Sequence, residues 1–542
     1  MEINRNGILG TISRIFGGND KLQTQTAERV ETDNVVIYRI GGGGSGGAAA
    51  AADMIMYLAQ AFYSADKGTP LQSAPKSSVI DLDAEAEGTA DMVNAAVRIN
   101  TLASADHNGR GIRHIEAVNT AIAHNMEGSD ENTCIGDMID QNSAHARNMA
   151  DIILTEEELH LPRKVGGQGR SKLAESWGSV MFRSRELAKL FESIVNDYRN
   201  NKKILIQLSG SCTGAMGVAV HNLLPQEIYR RCNEVNPNLI DNLKIHEFVI
   251  EGYTIHPAED SEDEAFVLDN THDEVRRFYF NQNEARKMVD VTYHIATAAP
   301  VVAYEKFARG GKQYRHYSLG DMLLLSAKAD SARTAFESGS EKGRHKLIVV
   351  DNDENDPRFK WSDIHDKEFE RMMVNYIRFC AVVCLRLKPL TYASYDELKV
   401  APHIVALLGK KAEASRIETL LEPFRAMISL AETALRFALD VGATGTDWSA
   451  DKVDNGYPTL VDNQTVLFNP AQIKRILCGT LEDEVNFYDL DSITQYSANG
   501  GTSYTVTTDI TVGSAFDDAA DNMEKGETAV DFLLELYHQA SI

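Results

Sequence analysis

Val35-Val-Ile-Tyr-Arg-Ile-Gly-Gly-Gly-Gly-Ser-Gly-Gly47 is a β-branched run that empties into glycine, and Ala48 to Phe62 then carries a helical pattern. A glycine loop between a strand and a helix predicts an anion site. Its backbone N–H groups point outward, the helix dipole favours negative charge, and missing side chains let a phosphate come close. Gly42, Gly44 and Gly47 satisfy G-x-G-x-x-G, which opens a dinucleotide reading. A purely structural glycine turn is the plain alternative.

Working outward, Ser78 to Asp83 reads as a second buried strand, and Lys203 to Leu208 as a third. The third runs into Ser209-Gly-Ser-Cys-Thr-Gly214 and a helix through Leu224. Further strands are expected at Ile245 to Ile250 and Ala265 to Leu268. Alternating strand and helix with glycine at strand ends predicts an α/β fold with a Rossmann-like, mostly parallel sheet. Ligands of such sheets bind at the carboxyl ends of the strands.

The expected organisation is an N-terminal arm over 1–33, then a nucleotide-type domain over 34–276 with a helical insertion at about 84–165. A long central helix follows over 277–309, and then a second, α+β domain with an extension over 310–542. In that second domain, helices are expected at 366–387 and 412–441, the latter kinked or broken at Pro423. Strands are expected at 457–468 and 502–512, and a last amphipathic helix at Thr528 to Gln539. The arm has Ile8, Leu9, Ile12, Ile15 and Phe16 at helical spacing, the pattern of a helix packed on its own domain or an arm for a partner.

A second glycine-rich loop discriminates among the phosphate binders. An ordinary dinucleotide fold uses one such loop. Ser209, Gly210, Ser211, Cys212, Thr213 and Gly214 form another on a different strand, which suits one triphosphate held from both sides. Gly169 and Arg170, in the loop Gly166 to Arg170, add a cation for the γ-phosphate, where the bland reading of Arg170 is a surface ion pair. No G-x-x-x-x-G-K-[S/T], H-E-x-x-H, zinc-type Cys/His spacing or G-x-S-x-G occurs, so no metal-ligand set is assigned.

The chain has 542 residues and a net charge of −25, from 79 acidic side chains against 54 Lys and Arg. Apolar residues at 43% and charged ones at 25% are the balance of a globular protein. The acidity argues against direct nucleic-acid binding, which needs clustered cations. Six cysteines without a C-x-x-C, and neither a signal-peptide pattern nor an apolar run of membrane length, predict a cytoplasmic protein with reduced thiols. Cys380 and Cys384 are expected to pack as small hydrophobes.

Taken in order, these segments resemble the tubulin/FtsZ superfamily. V-V-I-Y-R-I-G-G-G-G-S-G, with Gly42, Gly43, Gly44, Ser45 and Gly46, is similar to the first FtsZ phosphate loop. Val79 to Ala86, with Asp83, resembles the FtsZ strand and loop A-I-N-T-D-A-Q-A. Gly169-Arg170, followed by Lys172, Ala174, Glu175 and Ser176, resembles V-G-R-K-A-A-E-E-S. Ser209 to Gly217 sits where the tubulin signature G-G-G-T-G-S-G belongs, with Gly210, Thr213 and Gly214 holding to it. Leu268-Asp-Asn270 is similar to V-D-N, whose Asn reads guanine. Tyr279 and Asn283 resemble the Y-x-x-L-N at the start of the family's central helix, where the ring stacks on the base.

The departures lie in the signature loop, at Ser211, Cys212, Ala215 and Met216, and in the catalytic loop. There Tyr317-Ser-Leu-Gly-Asp321-Met-Leu-Leu324 is the nearest match to G-x-x-N-x-D-x-x-D/E, with Asp321 as the first acid and Leu324 in place of the second. The acidic stretch Asp351 to Asp356 is a rival source of an acid.

The resemblance implies a GTP/GDP-binding protein, with Mg²⁺, that assembles head to tail with copies of itself. Hydrolysis would be completed by Asp321 across the subunit contact, and the C-terminal region would meet an adaptor or cargo. Two alternatives stand beside it. One is a nucleotide-binding scaffold of the same fold with weak or no hydrolysis. The other is an NAD-dependent oxidoreductase using Gly42, Gly44, Gly47 and Asp83.

Overall fold

The computed structural model describes residues 35–68, 75–81, 87–106, 112, 117–121, 132–138, 144–162, 176, 185–211, 215–250, 288–297, 328, 331–332, 334–336, 343–350, 367–391, 393–399, 404, 413–443, 512–523 and 528–541. Seven described strands make one sheet. They are β1 (Val35–Gly42), β2 (Lys76–Asp81), β3 (Ala117–Ala121), β4 (Lys203–Ser211), β5 (Leu243–Ile250), β6 (Val291–Thr297) and β7 (Arg344–Val350). Their order is β3-β2-β1-β4-β5-β6-β7, and every neighbouring pair is parallel. The first six follow the doubly wound order of Rossmann-like folds, in which the chain reverses direction across the sheet between β1 and β4.

Parallel strands are covered on both faces, so they read as apolar runs. On one face Tyr38, Ile40, Ile204, Ile206 and Leu208 pack under α3 (Arg185–Arg199) and α4 (Ala215–Val235). On the other, Val79, Phe248, Val291 and Tyr293 join the core of α1 (Gly43–Lys67) and α2 (Glu87–Ala105). Ala49 to Ala52 are all buried, and their small side chains let α1 lie close to its neighbours. α1 ends at Gly68, whose φ of 63° is the left-handed conformation a helix stop favours.

The C-terminal half adds a second helical layer over α1 and α2. It contains α5 (Lys367–Val382, continued by a π-helical turn at Val383–Leu387), α6 (Ala414–Ala443), α7 (Val512–Asn522) and α8 (Ala529–Ala540). Phe62 of α1 is the centre of this contact, with its ring centroid 4.8 Å from Phe379 and 5.5 Å from Tyr537. Arg378 Nε donates to the Ala540 carbonyl at 2.6 Å, and His538 Nδ1 lies 2.6 Å from Asp66 Oδ1. A capping box between Thr528 and Asp531 starts α8. Cys380 and Cys384 are buried free thiols in this core, and burial pushes both well above the ordinary thiol value.

Three sequence expectations are corrected. Within the central helix expected over 277–309, residues 291–297 are instead β6, which pairs with β5 and β7. Val-Thr-Tyr-His-Ile-Ala-Thr is rich in β-branched and aromatic residues, and its alternation sends Val291 and Tyr293 to one face. The boundary at 276 moves too, because the sheet continues to Val350 and the described C-terminal helices share the core of α1. Finally, of the kink or break expected at Pro423 the break does not occur, since α6 is continuous through it with Leu420, Leu421, Phe424 and Met427 buried around it. β3, inside the insertion expected to be helical, is also new. The arm over 1–33 and the strands expected at 265–268 and 457–468 lie outside the described residues, as does the one expected at 502–512 up to its last residue, Val512, which begins α7.

Among the described residues no helix is long and apolar enough to cross a membrane.

Asp197 ties α3 to the sheet. Its carboxylate accepts from Lys202 at 2.8 Å, from the Tyr38 hydroxyl at 2.7 Å and from Lys76 at 2.9 Å. Burial raises this carboxyl, but the three donors together outweigh burial and hold it below the ordinary range. Such an acid adds stability above the unfolded value near ~3.9, and the gain is lost as pH falls through the lower folded value. Asp197→Asn is expected to lower unfolding free energy by about 2 kcal/mol in urea titrations at pH 7. The difference from wild type should shrink as the pH is lowered below about 4.

Candidate functional site

β1 and β4 are adjacent, with Gly41 opposite Ser209 and Gly42 opposite Gly210. Their chains leave on opposite faces of the sheet, through α1 and α4, and the crevice between them is where ligands of open α/β sheets sit. α1 begins at Gly43 and has no side-chain cap on its first turn. Neither α1 nor α4 has an acidic residue in its first turn. The leading N–H groups of a helix have no partner within it, so these two ends converge as a positive, donor-rich mouth.

The crevice is built by backbone contact. A Cβ on Gly41 would lie 2.4 Å from the Gly46 carbonyl oxygen, and one on Gly46 would lie 2.7 Å from that of Ser209. A Cβ on Gly42 would fall 2.9 Å from Val220 Cβ, and one on Gly210 would fall 2.9 Å from Gly217 Cα. Gly43 has φ +66°, a conformation that side chains rarely adopt, and its open side faces Met216. Met216, a departure from the tubulin signature, is buried in the core under α4. It fills the space beside Gly43.

The sequence-derived site residues divide in two. Gly42, Gly43, Gly44, Ser45 and Gly46 occupy the end of β1 and the first turn of α1, and Ser209, Gly210 and Ser211 end β4. These two groups are brought together. Asp83, Gly169, Arg170, Cys212, Thr213, Gly214, Asn270, Tyr279, Asn283 and Asp321 lie outside the described residues.

Sequence reasoning passed over two buried polar groupings beside the crevice. On the α1 face, Lys328 Nζ donates to Asp53 Oδ2 at 2.6 Å, with both side chains almost fully buried. Arg39 Nη1 lies 3.4 Å from Asp53 Oδ1, and Arg39 Nε donates to Gln207 Oε1 at 3.1 Å. Gln207 Nε2 donates to the Lys328 carbonyl at 2.7 Å and to Ser331 Oγ at 3.1 Å, and Ser331 meets His246 Nδ1 at 2.7 Å. On the opposite face, His221 of α4 faces Glu247 of β5. The available signal was a polar residue inside an apolar run, as with Asp53 after five alanines and Gln207 in K-I-L-I-Q-L. A buried charge is retained only where it is paired.

The glycine contacts set an ordering for substitutions. Gly210→Ala forces β4 and α4 apart and should lower unfolding free energy by about 1–3 kcal/mol. Gly68→Ala meets nothing within 4 Å and carries only the positive-φ cost, about 1 kcal/mol. Thermal denaturation of the two variants checks the order, and an equal or reversed order would contradict the close approach.

Set against known proteins, this chain matches no family model, no curated protein and no solved structure.

Proposed function

We propose that the chain binds a guanine nucleoside triphosphate in the crevice between β1 and β4, and assembles head to tail in the manner of the tubulin/FtsZ superfamily. The observation that carries this reading is the convergence of two glycine-lined helix starts on one crevice, with Gly42 registered opposite Gly210. A single phosphate loop needs only one such start. Two of them match the demand of a triphosphate for backbone donors on both sides.

The base-reading roles of Asn270, Tyr279 and Asn283, the pairing of Arg170 with the γ-phosphate and the part of Asp83 rest on the family resemblance. So does Asp321 as the acid that orients water at a neighbour's nucleotide. Phosphoryl transfer to water needs in-line positioning and charge stabilisation rather than a covalent intermediate. Among the described residues no set of three or more His, Cys, Asp or Glu side chains is placed to hold a metal ion. Mg²⁺ belongs to this reading as the companion of the phosphates. A heterologous contact that does not close gives an open polymer, and the net charge of −25 makes its assembly sensitive to salt.

A second reading is favoured by the strand order, which dinucleotide folds share, together with the G-x-G-x-x-G at Gly42, Gly44 and Gly47. It assigns NAD to the same crevice and leaves the β4 loop without a role.

Chromatography of the nucleotide released from purified protein separates the readings: guanine nucleotide supports the first and NAD the second. Sedimentation with GTP, GDP or no nucleotide tests assembly, and no nucleotide-dependent pellet at any salt concentration would count against filaments. Asp321→Ala should slow phosphate release about a hundredfold or more while leaving nucleotide binding intact. Unchanged release would favour a scaffold with little hydrolysis.

A further inference from the structure

Every described strand is parallel to its neighbours, so their first residues share one edge of the sheet and their last residues the other. The two edges differ in charge. β2 begins at Lys76, β4 begins at Lys203 with Lys202 just before it, Lys244 is the second residue of β5, and β7 begins at Arg344. β1, β3 and β6 begin at the uncharged Val35, Ala117 and Val291. Asp197 accepts from both Lys76 and Lys202, one carboxylate against two cations. Asp290 is almost fully buried, accepts the Ile245 N–H at 2.9 Å and lies 3.5 Å from Lys244. Asp241 is exposed in the turn that leads into β5. Lys203 stands over the Phe336 ring, 5.5 Å from its centroid, and Arg344 is exposed. Among the described residues this edge is therefore a cationic rim, on a chain whose net charge is −25.

The other edge leads into acid. Glu251 follows the last residue of β5 directly and opens Glu251-Gly-Tyr-Thr-Ile-His-Pro-Ala-Glu-Asp-Ser-Glu-Asp-Glu264. Asp351 follows the last residue of β7 directly and opens Asp351-Asn-Asp-Glu-Asn-Asp356. Asp83 and Glu85 follow β2 within four residues. β1 and β4 open into the glycine loops instead, and seven uncharged residues follow Thr297 of β6. Consecutive Cα atoms are about 3.8 Å apart, so the chain itself ties the near end of each acidic stretch to this edge. The acids belong to strands that flank the crevice, with β2 on one side and β5 and β7 on the other.

Two copies of so acidic a chain repel each other in most orientations. A basic edge against an acidic edge is the orientation in which local attraction opposes that repulsion, whereas like edges together add to it. Each copy carries one edge of either sign, so the contact is heterologous and leaves an unused edge at both ends.

We propose that the cationic edge of the sheet, at Lys76, Lys202, Lys203, Lys244 and Arg344, docks a second copy of this chain through the acidic stretches 251–264 and 351–356 that leave its other edge. This rests on the head-to-tail part of the reading above and not on the identity of the nucleotide. The attraction is local and exposed, so added salt weakens it.

The test is sedimentation of the full chain, with and without Mg²⁺-GTP, at about 50 mM and about 500 mM salt. At the lower salt, Lys203→Glu/Arg344→Glu should raise the protein concentration needed for assembly about tenfold or more, and Glu259→Lys/Asp260→Lys/Asp263→Lys should do the same. Mixed in equal amounts, the two variants should assemble near the wild-type concentration, because each reversed edge then meets an opposite one. A folding defect gives no such rescue. The losses should shrink at the higher salt. Wild type supplies a readout that needs no variant: in assemblies of labelled and unlabelled chains, carbodiimide coupling should join Lys202 or Lys203 to acids of 251–264 or 351–356 in mixed-isotope pairs. Unchanged assembly by both folded variants, or lysine–acid links confined to single chains, would overturn the proposal and leave assembly through another surface standing. Wild type that stays monomeric under all these conditions would overturn both the proposal and the filament reading while leaving nucleotide binding intact. Retention of duplex DNA or anionic vesicles by that monomer would assign the rim to a different partner.

Discussion

The rest of the fold is arranged around a close approach of backbones at the carboxyl ends of β1 and β4. Gly41 and Gly46 touch, and Gly42 and Gly210 crowd against Gly217, at separations that leave no room for a Cβ. This contact holds the start of α4 against the end of β1 as well as against its own strand. It also places the first turn of α1 against Ser209. Because the two helices depart on opposite faces, one small region of glycine backbone sets the position of both covering layers. It leaves the donor-rich ends of both helices at one crevice.

α1 carries that constraint away from the crevice. Its first turn forms one wall of the site. A little further along, Asp53 receives Lys328 and Arg39 in a network that reaches Gln207 and His246 across the sheet. Further still, Phe62 seats the rings of Phe379 and Tyr537, and Asp66 meets Lys67 and His538. Burial raises the Asp66 carboxyl, but these two partners hold it below the ordinary range. One helix thus spans the glycine crevice, the buried charge network and the C-terminal layer. A displacement at its first turn is felt by all three, since packed interiors have little free volume to absorb it.

The two faces of the sheet use polarity differently. Under α3, the Asp197 cluster lies at the amino end of the strands and is partly open to water, a suitable place for a charged anchor. Under α4, His221 and Glu247 lie near the carboxyl end and are closed off from water. On the α1 face, Arg39, Gln207 and His246 form a row across three neighbouring strands. Gln207 and His246 are served by Lys328 and Ser331, and Arg39 by Gln207 and Asp53.

Local pattern determined much of this protein. Short apolar runs named β1, β2, β4 and β5, those of β1 and β4 emptying into glycine loops with a legible helix after each, and the amphipathic pattern at Thr528 to Gln539 matched α8 to within a residue. These features depend on neighbours within a turn or two, and sequence carries that information directly. Other features depended on residues far apart in the chain. β6 carries β-branched and aromatic residues, but they lie inside a longer stretch read as one helix, and pairing with β5 and β7 makes residues 291–297 a strand. Pro423 ends a helix in isolation, yet packing around it sustains α6. The meeting of Gly42 with Gly210, the pairing of Asp53 with Lys328 and the placement of His221 against Glu247 are set by which strand lies beside which. Strand order is a long-range choice of the whole sheet, and a buried polar residue shows its partner only once that order exists.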